Sequence, residues 1–172
     1  MIPKRLDLKG FTSYRKAVEL DFTMFNLACI SGPNGAGKSS ILDGITYALY
    51  GKARKTDDAL IHSGSDEAEV SFDFEYEGQT YRVVRSIKRG KGSNLDFYIL
   101  NPHATDDSQR WKTLTERTIR ETDAKIERTL RLDYETFINA SFFLQGKADS
   151  FATQRPADRK RILSSILGRS EE

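Results

Sequence analysis

The stretch Gly32-Pro33-Asn34-Gly35-Ala36-Gly37-Lys38-Ser39-Ser40 constrains this chain most. The apolar run Leu27 to Ile30 before it reads as a strand, and Ile41, Leu42, Ile45 and Leu49 after it read as one stripe of a helix. Gly32, Gly37, Lys38 and Ser39 meet the spacing G-x-x-x-x-G-K-[ST] in strand, loop and helix context, which predicts a phosphate cradle. Glycines let the backbone curl until successive N–H groups point inward, and the helix start adds its positive end. Lys38 is expected to reach the β- and γ-phosphates. The Ser39 hydroxyl is expected to be a ligand of Mg²⁺, a hard cation that takes few protein oxygens. The plain alternative is a glycine-rich turn before a helix, which spacing and context together disfavour.

Composition sets outer limits. At 172 residues the chain can form one domain with a real core, or two small lobes. No apolar run approaches the roughly 20 residues that cross a bilayer. The start, Met-Ile-Pro-Lys-Arg-Leu-Asp, lacks the apolar segment of a signal peptide, and one cysteine cannot form an internal disulfide. These features predict a cytoplasmic protein with no membrane partner. Cys29, inside the apolar run, is expected to be a buried small hydrophobe. A net charge of +2 is too small to imply nucleic acid, so the placement of charge decides. No spacing of His or Cys suggests a zinc site.

Along the chain, residues 2 to 9 predict a strand ending at Gly10, followed by a loop carrying Phe11, Thr12, Ser13 and Tyr14. Val18, Leu20 and Phe22 alternate with Glu19 and Asp21, which predicts a half-buried second strand. After the cradle helix, Gly51 and the mixed run 52 to 58 read as an exposed connection. From Ala68, Val70, Phe72, Phe74 and Tyr76 share one face and Glu69, Ser71, Asp73 and Glu75 the other. Gly78-Gln79 suits a two-residue II′ turn, which places Glu75 opposite Arg82, Glu69 opposite Lys88 and Tyr76 beside Tyr81. A strand from Leu95 to Leu100 completes an antiparallel meander. Thr113 with Glu116, or Thr118 with Glu121, can form a capping box for a helix reaching residue 130, striped by Ile119, Ile126 and Leu130. A short helical turn around 134 to 139 follows. Pro156 suits the first turn of a last helix bearing Ile162, Leu163, Ile166 and Leu167.

Arg82, Arg85, Lys88, Arg89 and Lys91 fall within ten residues that contain no acid. Cross-strand acids can neutralise Arg82 and Lys88. Arg89 and Lys91 at the tip, with Arg85, therefore remain as candidates for phosphate contact with DNA, against the bland reading of a solvated hairpin.

Two strands before the cradle, a meander after its helix, and Phe142-Phe143-Leu144-Gln145-Gly146 together resemble an ABC-type ATPase head. Leu6-Asp7-Leu8-Lys9-Gly10-Phe11, Tyr47-Ala48-Leu49-Tyr50-Gly51, and Arg159-Lys160-Arg161-Ile162-Leu163 after Gln145-Gly146 are similar to the N-terminal lobe of the SbcC family. That family comprises the SMC-related ATPases that work with an SbcD-type nuclease subunit in DNA double-strand-break processing. The fold implied is α/β, a P-loop NTPase lobe with an antiparallel meander, over residues 1–154. Residues 155–172 would then be a terminal helix leading toward a coiled coil. The resemblance implies that Asn34, Gly35, Ala36, Gly37, Lys38, Ser39 and Ser40 contact the phosphates of ATP. It makes Gln145 the Q-loop glutamine that meets Mg²⁺ and the attacking water, so Lys38 and Gln145 serve catalysis. It puts Thr12 and Ser13 near the nucleotide, and Ile61, His62 and Ser63 near the adenine. His62 equally suits a solvated loop. Thr12 stands where relatives carry an arginine.

An ABC ATPase also needs a Walker B Asp-Glu, a signature Ser-Gly-Gly and a switch histidine, and the sequence after Gln145 holds none of these. The chain thus reads as half a head, inactive alone, whose partners are its own C-terminal lobe, a second head in an ATP-dependent homodimer, the nuclease subunit and double-stranded DNA. A small P-loop kinase and a non-catalytic DNA-tethering module are the rival readings. A kinase is expected to carry its cradle after the first strand, and here the cradle comes third.

Overall fold

The computed structural model describes residues 1–141 and Arg155, and the chain divides into two compact units, Met1–Ile126 and Glu127 onward. The first unit is built on one antiparallel sheet in the order β2-β1-β3-β4-β5-β6. Its strands are β1 (Ile2–Lys9), β2 (Val18–Asp21), β3 (Glu67–Tyr76), β4 (Gln79–Lys88), β5 (Gly92–Leu100) and β6 (Trp111–Thr113). Period-two alternation decides its faces. Leu20, Leu6, Phe72, Val83 and Phe97 lie opposite one another in successive strands. The last four are fully buried, each side chain contributing roughly 1.5–3 kcal/mol of apolar burial. The rings of Phe74, Tyr81 and Phe97 stack across β3, β4 and β5 at centroid separations of 5.6 and 5.7 Å.

Helix α1 (Lys38–Tyr50) packs on that apolar face through Ile41, Ile45, Ala48 and Leu49. Gly44 makes the close approach possible: a Cβ there would meet Leu8 Cδ2 at 2.7 Å. The opposite face of the sheet is polar and paired. Arg5 binds Asp7 and Glu19, and Arg82 binds Asp73 at 2.6 Å with its guanidinium 4.1 Å over the Trp111 ring.

Helix α2 (Ile119–Leu130) opens on the second of the two expected capping boxes. Thr118 N donates to Glu121 Oε2 at 3.1 Å and Glu121 N to Thr118 Oγ1 at 3.2 Å. The second unit begins in the last turns of α2 and contains α3 (Tyr134–Ser141), where Phe137 is buried and Asp133 caps through the Thr136 amide at 2.8 Å. The expected terminal helix falls outside the described residues, apart from Arg155.

Two expectations about strands are corrected. The hairpin between β3 and β4 turns on Glu77-Gly78, not Gly78-Gln79, because Tyr76 pairs with Gln79. Both turn residues have positive φ, 49° and 75°, the I′ pattern whose twist matches that of the strands. Register therefore moves by two residues. Arg82 faces Asp73 and Lys88 faces Glu67, while Tyr81 faces Phe74. A two-residue shift keeps every side chain on its face, which is why the alternation was legible when the pairing was not.

The second correction concerns the cradle strand. Residues 27–30 belong to no hydrogen-bonded strand, and the sheet runs from β2 to β6 without them. Leu27 is 92% exposed and Ile30 49%, and Cys29, expected to be buried, is exposed with them. Apolar character fits a segment for a central strand but supplies no neighbour to pair with.

Candidate functional site

The cradle loop has the backbone that its glycines predict. Gly32, Gly35 and Gly37 take φ of 147°, 85° and 92°, and Gly37 caps α1 with no side chain bonded to the first-turn amides. The Ser40 amide turns back to the Gly37 carbonyl at 2.9 Å, while the Lys38 and Ser39 amides stand at the helix start, where an anion is received. Lys38 Nζ curls back over the loop and donates to the carbonyls of Gly32 at 2.6 Å and Pro33 at 2.8 Å. An ammonium has three protons, so one is left for a phosphate oxygen. The next residue, Ser39, is half-buried at the same helix start, with a hard oxygen of the kind Mg²⁺ takes. These donors fit a polyphosphate with its magnesium ion.

The loop after β1 closes onto this cradle. Phe11 and Tyr14 exchange backbone hydrogen bonds of 2.9 and 2.8 Å, so Thr12 and Ser13 form a two-residue reversal. Phe11 is fully buried with its ring 5.5 Å from that of Tyr47 in α1. This anchor brings Ser13 Oγ to 3.4 Å from Ser40 Oγ and the Tyr14 hydroxyl to 3.3 Å from the Gly37 carbonyl. Thr12 sits at φ 49°, an uncommon conformation for a β-branched residue, held by its amide bonding to Leu60 O at 2.7 Å. The segment carrying Ile61, His62 and Ser63 joins the same loop from its other side. Phe11 bridges Ile61, and His62 N donates to Gly10 O at 2.7 Å. The loop 10–14 thus links two distant stretches of sequence, touching the cradle through Ser13 and Tyr14 and the 60–62 segment through Gly10, Phe11 and Thr12. Ile61 is 5% exposed, its side chain belonging to the core, while His62 Nδ1 accepts from the Gly64 amide at 2.9 Å. Gln145 lies outside the described residues.

The profile of the AAA domain family matches residues 5–172. The chain belongs to the AAA domain family. Among curated proteins, this AAA domain is 34% identical over 98% of its length to the SbcC component of the SbcCD nuclease of Deinococcus radiodurans, and spans 18% of that protein. It is 36% identical over 99% of its length to the probable DNA double-strand break repair Rad50 ATPase of Aquifex aeolicus, spanning 17% of it. Among solved structures, the SMC head domain from Thermotoga maritima aligns over 58% of this chain and 37% of its own, at 30% identity and a TM-score of 0.43. This AAA domain therefore spans about a fifth of the length of the curated relatives it matches.

The basic tip of this AAA domain is smaller than its composition suggests. Arg85, expected as a phosphate contact, is only 3% exposed. Strand alternation sets it on the helix-facing side with Val83, where its guanidinium donates to Ala48 O at 3.2 Å and to Asp123 Oδ1 at 2.6 Å. It cannot meet an outside phosphate. Arg89 is half-exposed, 4.0 Å from Asp58 and 3.4 Å from Ser65 O, and Lys91 is exposed in the turn between β4 and β5.

Two supports of the site were not read from sequence. One is Tyr14. The other is Asp43 of α1, whose buried carboxylate binds Arg54 through Nε and Nη2 at 2.7–3.1 Å and pulls the connection after α1 onto the helix. That hydrogen bond raises the guanidinium's affinity for its proton above the ordinary value. Asp43 falls opposite the Ile41, Ile45 and Leu49 stripe on the helix, so the sequence carried no signal of its burial, and only the structure shows that it is covered and paired.

Proposed function

We propose that residues 1–154 are the ATP-binding N-terminal lobe of a DNA-repair ATPase of the SbcC and Rad50 kind, with residues 155–172 leading toward a coiled coil. The observation that carries this reading is the glycine cradle at the start of α1, with Lys38 folded over it and the 12–14 loop held against it by Ser13 and Tyr14, a loop that the 60–62 segment braces in turn. Lys38 supplies positive charge to the terminal phosphates, and Ser39 with Gln145 supplies oxygens to Mg²⁺. Electrostatic positioning of this kind is most of what phosphoryl transfer asks of a protein. Gln145 is proposed to orient the attacking water.

Hydrolysis is proposed to need a C-terminal lobe and a second head. The exposed apolar segment supports that requirement. Met24, Phe25, Leu27 and Ile30 are 44–92% exposed, and Phe25, Ala28 and Ile30 line a groove of about 440 Å³ beside the edge strand β2. A surface of this kind is where another part of a head would pair. The nuclease subunit and double-stranded DNA complete the proposed assembly, with Arg89 and Lys91 meeting DNA phosphates. The family match over nearly the whole chain argues against a small kinase.

Calorimetry of the 172-residue protein with ATP and Mg²⁺ tests the central claim. Binding is expected for the unsubstituted protein and loss of measurable binding for Lys38→Ala. Equal affinities in the two proteins would remove the reading.

A further inference from the structure

We infer that Tyr14 is a positioning residue of the cradle, its hydroxyl holding the Gly37 carbonyl so that the Lys38 amide faces the bound phosphate. This rests on the nucleotide reading above and goes past it to a residue that reading does not use. The peptide between Gly37 and Lys38 is trans and planar, so its C=O and N–H point in opposite directions. Whatever fixes the oxygen also aims the hydrogen. Two donors fix the oxygen: the Tyr14 hydroxyl at 3.3 Å and the Ser40 amide at 2.9 Å. The Ser40 bond belongs to the first turn of α1, whereas the Tyr14 bond comes from the loop after β1 and ties the peptide to the sheet.

The ring works with the hydroxyl. A Cβ built on Gly37 would lie 3.1 Å from Tyr14 Cζ, 3.2 Å from Tyr14 Cε2 and 3.2 Å from Ser13 Cβ. Position 37 is therefore backed by Tyr14 as well as bent to φ 92°, and the glycine cannot relax away from the cradle on that side. Tyr14 is itself held by its backbone exchange with buried Phe11. The chain of support runs from the core through Phe11 and Tyr14 to the peptide that carries the Lys38 N–H, and every link in it is made by the protein's own groups. Such preorganisation avoids the cost of ordering the loop on binding.

The test compares the unsubstituted protein, Tyr14→Phe and Tyr14→Ala, using ADP as probe. Calorimetry gives affinity, urea melts give stability, and ¹⁵N-lysine labelling reports the Lys38 amide, its signal recognised by its absence in Lys38→Ala. Tyr14→Phe keeps the ring, so its urea midpoint is expected to stay close to that of the unsubstituted protein. Its ADP affinity is expected to fall roughly threefold to tenfold, the effect of one neutral hydrogen bond, and the downfield shift of the Lys38 amide on adding ADP should shrink. Tyr14→Ala should lose more affinity and some stability. Affinity within about twofold of the unsubstituted protein for Tyr14→Phe, or a full Lys38 shift despite weaker binding, would overturn the assignment. Failure of the unsubstituted protein to bind ADP would overturn the nucleotide reading, and the role of Tyr14 with it.

Discussion

Arg85 shows how one residue can be misread when charge is counted without geometry. Arg82 and Arg85 are three apart in a strand, so they must point to opposite faces. Arg82 pairs with Asp73 on the polar face, and Arg85 goes under α1. There it satisfies the Ala48 carbonyl in the last turn of the helix and lies 5.7 Å from the Tyr47 ring. A cation at a helix C-terminus is favourable, and a buried one must be paired. Removing the partner leaves that charge with no acid, only the Ala48 carbonyl and the Tyr47 ring. Asp123→Ala is thus expected to cost about 2 kcal/mol, below the usual loss for a fully buried pair because Asp123 keeps 32% of its side chain in solvent. Arg85→Ala should cost at least as much. Urea midpoints measure both, and an unchanged midpoint for Asp123→Ala would mean that water already satisfies Arg85.

At the scale of elements, the β3–β4 hairpin tests turn chemistry. Glu77 sits at φ 49°, a conformation that asparagine tolerates better than glutamate, and Gly78 follows at φ 75°. Glu77→Asn, which creates the favoured Asn-Gly pair, should raise stability by about 0.5–1 kcal/mol in thermal melts. A lower melting temperature would argue that the turn is not I′. The same hairpin explains the error in register: alternation reports faces but is blind to slips of two, and only the turn settles them. α1 was legible in full, since its apolar stripe, its glycine start and its end at Gly51 are all local signals. The capping box of α2 was narrowed to two threonines, and the structure chose Thr118.

For the whole molecule, the proposed half-head predicts binding without catalysis. The 172-residue protein should hold ATP yet show no steady phosphate release, because groups that stabilise the transition state come from elsewhere in the proposed assembly. Turnover that disappears in Lys38→Ala would sink that claim. DNA binding at the tip has its own signature. In an assembled head, Arg89→Glu with Lys91→Glu should weaken binding to unrelated duplexes alike. The salt dependence should flatten by about 0.9 in log–log slope for each phosphate no longer neutralised, with ATP affinity intact. Coincident slopes would make the tip a solvated hairpin.

What the sequence determined alone was mostly local: the cradle and its glycines, the faces of the paired strands, the extent of α1 and the family resemblance. Each depends on residues a few positions apart, whose physics is the same wherever the chain places them. Tertiary structure decided the rest. It put Arg85 inside, joined Phe11 to Ile61 and Tyr14 to Gly37, and left Leu27–Ile30 outside the sheet. Those outcomes depend on which distant groups meet, and an apolar run or a cation carries the need for a partner without naming it.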